Sequence, residues 1–222
     1  MMIAYYPANL SCKLEEGYVQ ELIIENQSVF QQIISDIYAQ LNGNSGEFVL
    51  SDDYKPMNLK TNAELITQII PFEINKKELI NKLYAKLKID SVNEYNYQKT
   101  QELLSYISSY LYEITDDNEN ELIYDPPDDV SGILKSFNVR INDENMDLTE
   151  KILEYMTAVQ NLKGEKVFIF VNLRSYLTDK QTELLFKSIV LKKITVICIE
   201  NCEHTRISTA RVMIIDKDMC VI

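Results

Sequence analysis

The sequence predicts an α/β protein with a mainly parallel-sheet head and a helical leg. Two observations predict this division. Toward the C-terminal side, an apolar run, an amphipathic segment and a second apolar run follow in the order strand, helix, strand, which is typical of a parallel sheet covered by helices. From residue 75, two long amphipathic segments with helical periodicity replace the short strand patterns, which indicates a separate helical arm.

The C-terminal part of the head has the clearest pattern. KVFIFVNL and KITVICIE are continuous apolar runs, as expected of strands buried on both faces. Between them, TDKQTELLFKSIVL has helical periodicity, with Thr178 and Gln181 at capping-box spacing. We therefore expect a right-handed parallel crossover here. RVMIID and MCVI are expected to add edge strands, and residues 148–162 a helix.

The N-terminal third is predicted to add strands and one helix. YVQELII fits a strand, and NQSVFQQIISDIYAQLNG fits a helix capped by Asn26 or Ser28 and ended near Gly43. EFVLSDD and AELITQII are further predicted strands. The helical leg is assigned to residues 73–115 as an antiparallel helix pair, and the head to residues 1–72 and 116–222. Within that head, DDVSGILKSFNVRI is expected to form a short helix and a strand.

Composition limits the class of protein. The chain has 222 residues of which 46% are hydrophobic, which is enough for a substantial core. No run of about 18 apolar residues is present to span a bilayer, and the four scattered cysteines favour free thiols in a reducing compartment. We expect a cytoplasmic protein with no membrane partner.

Charge is distributed unevenly along the chain. The net charge of −12 argues against nucleic-acid binding, because phosphate contacts rely on Lys and Arg. Residues 135–193, however, carry ten of the 22 basic side chains and only eight of the 34 acidic ones. These cations are either the solvated faces of helices or contacts to a duplex backbone, and the sequence leaves both interpretations open.

The sequence lacks the motif for nucleotide phosphates. No GxxxxGK[ST] match exists, and the predicted strand-to-helix turn reads IIENQSVF, without a lysine. The apolar strand VFIFV is followed by Asn172, where an Asp that holds magnesium is expected in a nucleotide hydrolase. We therefore expect neither a bound nucleotide nor nucleotide hydrolysis.

The segment EITDDNENELIYDPPDD, residues 113–129, carries eight carboxylates and no basic side chain. It begins with the D-x-N-x-N spacing of an EF-hand, but Glu121 replaces the turn glycine and Pro127 the bidentate Glu. A solvated loop or a calcium site of another kind are the two readings left open. The candidate calcium ligands are Glu119, Glu121, Asp125, Asp116 and Asp128.

Four stretches, FVNLRSYLT, IIENQSVF, NELIYD and ITVICIEN, resemble the short-form adaptation accessory protein of type II-A CRISPR-Cas systems. The resemblance extends from the N-terminal strand to the C-terminal strands. It implies a head with a degenerate core like that of P-loop nucleoside triphosphatases, and a helical leg. It also implies a non-catalytic homotetrameric ring that binds double-stranded DNA ends without sequence preference and is stabilised by calcium.

The same resemblance implies a role in spacer acquisition beside the CRISPR integrase and effector nuclease. It does not specify which cations line the channel, so the candidates come from the basic region. The candidate DNA contacts are Lys135, Arg140, Lys151, Lys163, Arg174, Lys180 and Lys187. The alternatives are a divergent nucleotide-binding or nucleotide-hydrolysing protein and a protein-docking scaffold for the adaptation complex.

Overall fold

A computed structural model describes residues 1–116 and 118–222. Residue contacts divide the chain into two compact units. The first, called here the α/β unit, comprises Met1–Ile74 and Asp143–Ile222; the second, called the helical unit, comprises Asn75–Asn142. Residues 116–142 thus group with the helices, whereas the sequence-based division placed them in the head. Among the described residues, no helix is both long and apolar enough to cross a membrane.

The α/β unit contains a parallel and an antiparallel sheet. The parallel sheet has the strand order β6-β7-β8-β3-β9, and the antiparallel sheet the order β2-β1-β4-β5. The strands are β1 (Met2–Tyr5), β2 (Leu10–Lys13), β3 (Val19–Ile24), β4 (Phe48–Asp52), β5 (Lys55–Pro56), β6 (Ala63–Ile66), β7 (Val167–Val171), β8 (Thr195–Glu200) and β9 (Ala210–Ile215). The helices of this unit are α1 (Gln27–Leu41), α2 (Leu59–Asn62), α6 (Leu148–Lys163) and α7 (Asp179–Leu191).

The parallel sheet forms where the apolar runs predicted it. β7 and β8 pair in parallel, with α7 between them in sequence, and β3 lies between β8 and β9. Every residue of β3 and β7 is buried, because both faces of the sheet are covered. The mixed α/β architecture with a parallel sheet is thereby confirmed. Relatedness to P-loop proteins stays a prediction.

Helix ends follow the predicted capping chemistry. The Asn26 side chain accepts hydrogen bonds from the backbone N–H groups of Ser28 and Val29 at the start of α1. At α7, Thr178 and Gln181 form the reciprocal capping box that their spacing predicted. Asp147 and Glu150 form a second capping box at α6.

The antiparallel sheet contains strands that periodicity did not reveal. β4 was predicted, but β1 and β2 lie in the segment MIAYYPANLSCK, where a short 3-10 helix at Tyr6–Ala8 interrupts the alternation. The strand predicted from MCVI is reduced to one bridge between Val221 and Ile215, flanked by two backbone hydrogen bonds between Ile214 and Ile222.

The helical unit contains α3 (Lys77–Ser91), α4 (Tyr97–Asp116) and the short α5 (Ser131–Ser136). α3 and α4 are the two long helices that the amphipathic pattern predicted. The strand expected after α5 does not form. Asn75 and Ile141 join the two ends of the unit, since the Asn75 side chain donates to the Ile141 carbonyl and accepts from its N–H, both at 3.0 Å.

Candidate nucleic-acid interface

The seven cations proposed from the sequence are divided between the two units. Lys135 and Arg140 lie in the helical unit, at and after α5. The other five lie in the α/β unit: Lys151, Lys163, Arg174, Lys180 and Lys187. The seven therefore do not form one patch within a single unit, and each must be judged by its own surroundings.

Arg174 is a structural cation. It is only 3% exposed, and its Nη1 donates to Glu21 Oε1 at 2.6 Å. Its Nη2 donates to Asp179 Oδ1 at 3.2 Å and to the Thr205 carbonyl at 3.0 Å. With its guanidinium inside the protein and bonded on several sides, Arg174 has no surface to offer to a phosphate. The prediction that it contacts DNA is corrected accordingly.

Two lysines on α6 are only partly available. Lys163 Nζ lies 2.5 Å from Glu64 Oε1, and the Tyr155 hydroxyl donates to the other oxygen of that carboxylate at 3.3 Å. The Lys163 side chain is 14% exposed, so this ion pair ties α6 to β6. Lys151 is partly buried in the same helix. Both are weaker candidates for phosphate contact than fully exposed lysines.

Five of the predicted DNA-contacting cations lie in the α/β unit, and the most exposed of them are on the outer face of α7. Lys180 and Lys187 are exposed, seven residues apart, on the same side of the helix as the exposed Leu184 and Leu191. Lys187 also forms a surface ion pair with Glu183 at 2.7 Å. Lys192 and Lys193 are also exposed, directly after the end of α7. We call Lys180, Lys187, Lys192 and Lys193 the α7 lysine row.

The candidate calcium ligands lie at the end of α4 and after it. Asp116, Glu119 and Glu121 line a hollow of about 420 Å³ together with Tyr112 and Tyr124. In the described part of the chain, no three acidic, histidine or cysteine side chains are close enough to hold a metal ion. Calcium requires six to eight oxygen ligands, so the described carboxylates of one chain do not form a complete calcium site by themselves. Asp117, in the same acidic segment, lies outside the described residues.

The protein itself neutralises part of the acidic segment. Lys88 Nζ on α3 lies 2.5 Å from Asp129 Oδ2, and the Ser131 N–H donates to Asp129 Oδ1 at 2.6 Å. The Lys88 hydrogen bond, together with that of Ser131, holds the pKa of Asp129 well below its usual range. Asp129 was not among the predicted ligands, and its partner Lys88 lies 41 positions earlier in the sequence.

One face of α4 is apolar and exposed. Leu103, Tyr106, Tyr110 and Ile114 follow one another at helical spacing and are between 46% and 73% exposed. Only Thr100 and Leu104 of this helix are buried. We call these four exposed residues the α4 stripe. An apolar stripe of this kind is typical of a surface that another molecule covers.

The carboxyl ends of the parallel strands hold a buried charged cluster that sequence reasoning missed. Besides Glu21 and Arg174 it contains Glu200 at the end of β8, which is 0% exposed and accepts from the Arg174 backbone N–H at 3.1 Å. Burial raises the pKa of Glu200 to about 7. Its other oxygen lies 3.5 Å from His204 Nε2. The sequence did contain a signal for this cluster, because Glu21 and Glu200 are charged residues in the otherwise apolar runs YVQELII and KITVICIE.

Two positions would bind phosphate and magnesium in a nucleotide hydrolase: the β3–α1 turn and the end of β7. In this protein, both are occupied by structural contacts. Asn172, which follows β7, has a left-handed backbone with φ of 53°. Its N–H donates to the Ile199 carbonyl and its side chain accepts from the Asn201 N–H. At the β3–α1 turn, the Asn26 side chain caps the helix and donates to the Lys217 carbonyl. These contacts give no support to the nucleotide alternative.

Comparison with known proteins identifies relatives across most of the chain. Residues 40–219 match the family model described as CRISPR-associated protein (Cas_Csn2). A protein named CRISPR-associated protein Csn2 from Streptococcus agalactiae is 25% identical over 209 residues, covering 90% of this chain and 89% of the relative. A protein of the same name from Enterococcus faecalis is 24% identical over 184 residues, covering 81% of each chain.

The fold has a counterpart among solved structures. The crystal structure of Stu0660 of Streptococcus thermophilus superposes with a TM-score of 0.57 at 11% identity, covering 97% of this chain and 75% of that one. At this identity the likeness concerns the fold alone. The family match spans far more than half of the sequence. The chain therefore belongs to the Cas_Csn2 family of CRISPR-associated proteins, the type II-A adaptation accessory proteins that its sequence resembles.

Proposed function

We propose that the protein is a non-catalytic, homotetrameric ring that binds the ends of double-stranded DNA, without sequence preference, during CRISPR spacer acquisition. Family membership supports the CRISPR context. The observation that carries the DNA-binding part is the α7 lysine row, which is exposed although the chain has a net charge of −12. Its partners in this role are the integrase and the effector nuclease, in the cytoplasm.

The spacing of the α7 lysine row suits a duplex backbone. Lys180 and Lys187 are seven residues apart, or about 10 Å along a helix axis, which equals about three base-pair steps of 3.4 Å. Two lysines at this spacing can contact phosphates of one strand without reading the bases. Affinity then comes from counterion release, and so it falls steeply as salt increases.

Binding of linear and covalently closed duplexes of the same length tests end recognition. In calcium, fluorescence anisotropy should show that the linear duplex binds at protein concentrations where the closed duplex does not, because a ring must be threaded from an end. Equal binding of the two would rule out end threading.

Replacement of two lysines tests the α7 row. The Lys180→Gln, Lys187→Gln double variant should bind DNA more weakly, and its slope of log K against log salt should decrease by about 1 for each lost phosphate contact. The matched control is Lys55→Gln with Lys217→Gln, which removes two exposed lysines elsewhere in the same unit. If control and test variants bind alike, the row does not contact DNA.

The α4 stripe supports self-association. Lys99 is exposed near the start of α4 and Glu113 near its end. An antiparallel second copy would cover the apolar stripe and place these opposite charges together, as a two-fold symmetric contact does. Tyr106→Ser with Tyr110→Ser should reduce the mass measured by sedimentation, whereas Tyr54→Ser with Tyr95→Ser, which changes two exposed tyrosines elsewhere, should not.

The same stripe is the observation that favours the scaffold alternative. An exposed apolar helix face can receive another protein as well as a second copy of this chain. If the Tyr106 and Tyr110 variant keeps its oligomeric mass but no longer binds the integrase, the stripe is a docking site for that partner. If DNA binding is also absent from the intact protein, the scaffold role replaces the DNA-binding one.

Calcium is a separate part of the proposal, and it rests on the acidic composition of residues 113–129 and on the sequence resemblance. Light scattering in calcium and in chelator should show a smaller particle in chelator. Glu119→Gln with Glu121→Gln should abolish that difference, whereas Glu94→Gln with Glu102→Gln, also in the helical unit, should preserve it. A particle of constant mass in all conditions would exclude this role of calcium.

A further inference from the structure

The loop between β8 and β9, residues 201–209, is held against the buried charged cluster at the carboxyl ends of the parallel strands. Four polar contacts connect the loop to the body of the α/β unit. The Val19 N–H donates to the Thr209 carbonyl at 2.9 Å, and Arg174 Nη2 donates to the Thr205 carbonyl. Asn172 accepts from the Asn201 N–H at 3.1 Å, and His204 Nε2 lies 3.5 Å from Glu200 Oε2. Of these four contacts, only the last joins two titratable side chains.

The Glu200 carboxyl group accepts backbone hydrogen bonds from Arg174 and Leu173, but one of its oxygens has no partner in the described part of the chain. The Glu200 side chain is fully buried; one carboxyl oxygen accepts from the Arg174 backbone, while Oε2 has no hydrogen-bond partner among the described residues. The ring nitrogen Nε2 of His204 lies 3.5 Å from Oε2, and the His204 side chain is 22% exposed. A buried carboxylate oxygen without a donor is costly, and a proton held between the carboxyl group and the imidazole would remove that cost.

The charges around the pair favour that proton. Facing the pair are Glu21 from β3, Arg174 from the segment after β7, Asp179 from α7 and the Cys198 thiol from β8. Within the loop, the Cys202 thiol lies 3.8 Å from His204 Nε2. Glu21 and Arg174 neutralise each other at 2.6 Å, and Asp179 adds a further carboxylate at the surface. When Glu200 and His204 share one proton, the buried cluster is neutral. When they lose it, a buried negative charge remains without compensation.

We propose that Glu200 and His204 form a proton-operated latch that closes the 201–209 loop over the carboxyl ends of β7 and β8. With the proton bound, the carboxyl group donates to the imidazole and the loop is closed. When the proton leaves to solvent, the loop opens so that water can reach the carboxylate. Ligands of α/β proteins bind beyond the carboxyl ends of the strands, so this latch controls access to that end of the sheet.

The inference does not depend on the proposed DNA-binding function, and its test uses a different readout. Hydrogen–deuterium exchange of peptides from residues 201–209 should be measured in the full-length protein from pH 5.5 to 8.5. Each rate is divided by that of the same peptide in denatured protein at the same pH, which removes the intrinsic pH dependence of exchange. We expect protection of the loop to fall about tenfold from pH 6 to 8.5, since loss of one proton changes an equilibrium by at most tenfold per pH unit.

Two variants should have opposite effects. Glu200→Gln supplies a permanent neutral donor, so the loop should stay protected throughout the pH range. His204→Phe keeps a ring of similar shape but removes the nitrogen acceptor on the loop, so protection should be low throughout. Glu203→Gln is the control, because it changes an exposed carboxylate of the same loop that pairs with Arg206 at 3.8 Å, and it should retain the wild-type profile.

Other outcomes would overturn the latch. Low protection at all pH values in Glu200→Gln would mean that the carboxylate has only a structural role, and a pH-independent wild-type loop would exclude proton control. If Glu200→Gln does not fold, the wild-type profile and His204→Phe decide: His204→Phe must remove the pH dependence, and a profile like that of the wild type refutes the latch.

Discussion

The α/β unit and the helical unit differ in how their sequences use apolar residues. Strands β3 and β7 are buried along their whole length, and the charged residues beside them are paired inside the protein. In the helical unit, Leu79 is the buried residue of α3, and α4 buries only Thr100 and Leu104 while exposing its stripe. The first unit therefore buries its own apolar strands and pairs its buried arginine, although one oxygen of Glu200 keeps no partner among the described residues. The second leaves an apolar helix face exposed.

Shortening an apolar side chain should show the largest difference in stability effect between the two units. Phe170 on β7 is 0% exposed, so Phe170→Ala should lower the free energy of unfolding by about 3–5 kcal/mol through lost burial and a cavity. Ile89→Ala on α3, where the side chain is 69% exposed, should change it by less than about 0.5 kcal/mol. Urea denaturation measures both. Similar losses would show that the comparison is wrong.

Removing the buried arginine should lower the free energy of unfolding by a similar amount. Arg174→Met leaves Glu21 as an unpaired buried charge, which costs about 3–5 kcal/mol when one partner of a buried pair is deleted. Adding Glu21→Gln should restore part of the loss. Arg211→Met, which removes a surface pair with Glu15, should have little effect on urea denaturation. Equal losses in the Arg174 and Arg211 variants would contradict the structural role of Arg174.

The raised pKa of Glu200 predicts a pH dependence of stability. The folded protein holds a proton on this group that the unfolded chain loses from about pH 4.5, so stability falls as pH rises from about 4.5 to about 7 and is constant above that. At pH 8, Glu200→Gln should raise the free energy of unfolding by on the order of 3 kcal/mol. Below pH 4.5 the variant should have no advantage. An advantage that is the same at pH 4 and pH 8 would disprove this assignment.

The smallest predicted effect concerns a helix cap. Thr178 accepts from the Gln181 N–H at the start of α7, so Thr178→Ala should cost about 1 kcal/mol. Thr178→Ser keeps the hydroxyl and should cost much less. Thermal unfolding of the two variants checks the difference. If both melt at the same temperature as the wild type, the capping box does not contribute to stability.

How far the sequence predicts the structure depends on whether an element is determined by neighbouring residues or by distant ones. Strands such as VFIFV and caps such as Thr178 depend on neighbouring residues, and the structure confirms both. The β1 and β2 strands were missed because the Tyr6–Ala8 turn breaks their period and because β1 pairs with β4, more than 40 residues later. Pairing at such distances leaves no local signal.

Site residues were predicted less well for the same reason. Arg174 was assigned to DNA from the local excess of cations, but its partner Glu21 is 153 positions away in sequence and reaches it only through the pairing of β3, β8 and β7. Lys88 and Asp129 likewise meet only after folding. Charge counts give the composition of a region, whereas burial and pairing decide which charges stay free.

The short bridge at Val221 covers one side of β9. Two hydrogen bonds between Ile214 and Ile222 satisfy backbone groups that another chain could otherwise use to extend the sheet. At the opposite side, β6 is only four residues long. Neither side of the parallel sheet offers a long template for intermolecular strand growth, which disfavours polymerisation through pairing at these edges. Association between copies would then depend on side-chain surfaces, whose composition can change by single substitutions.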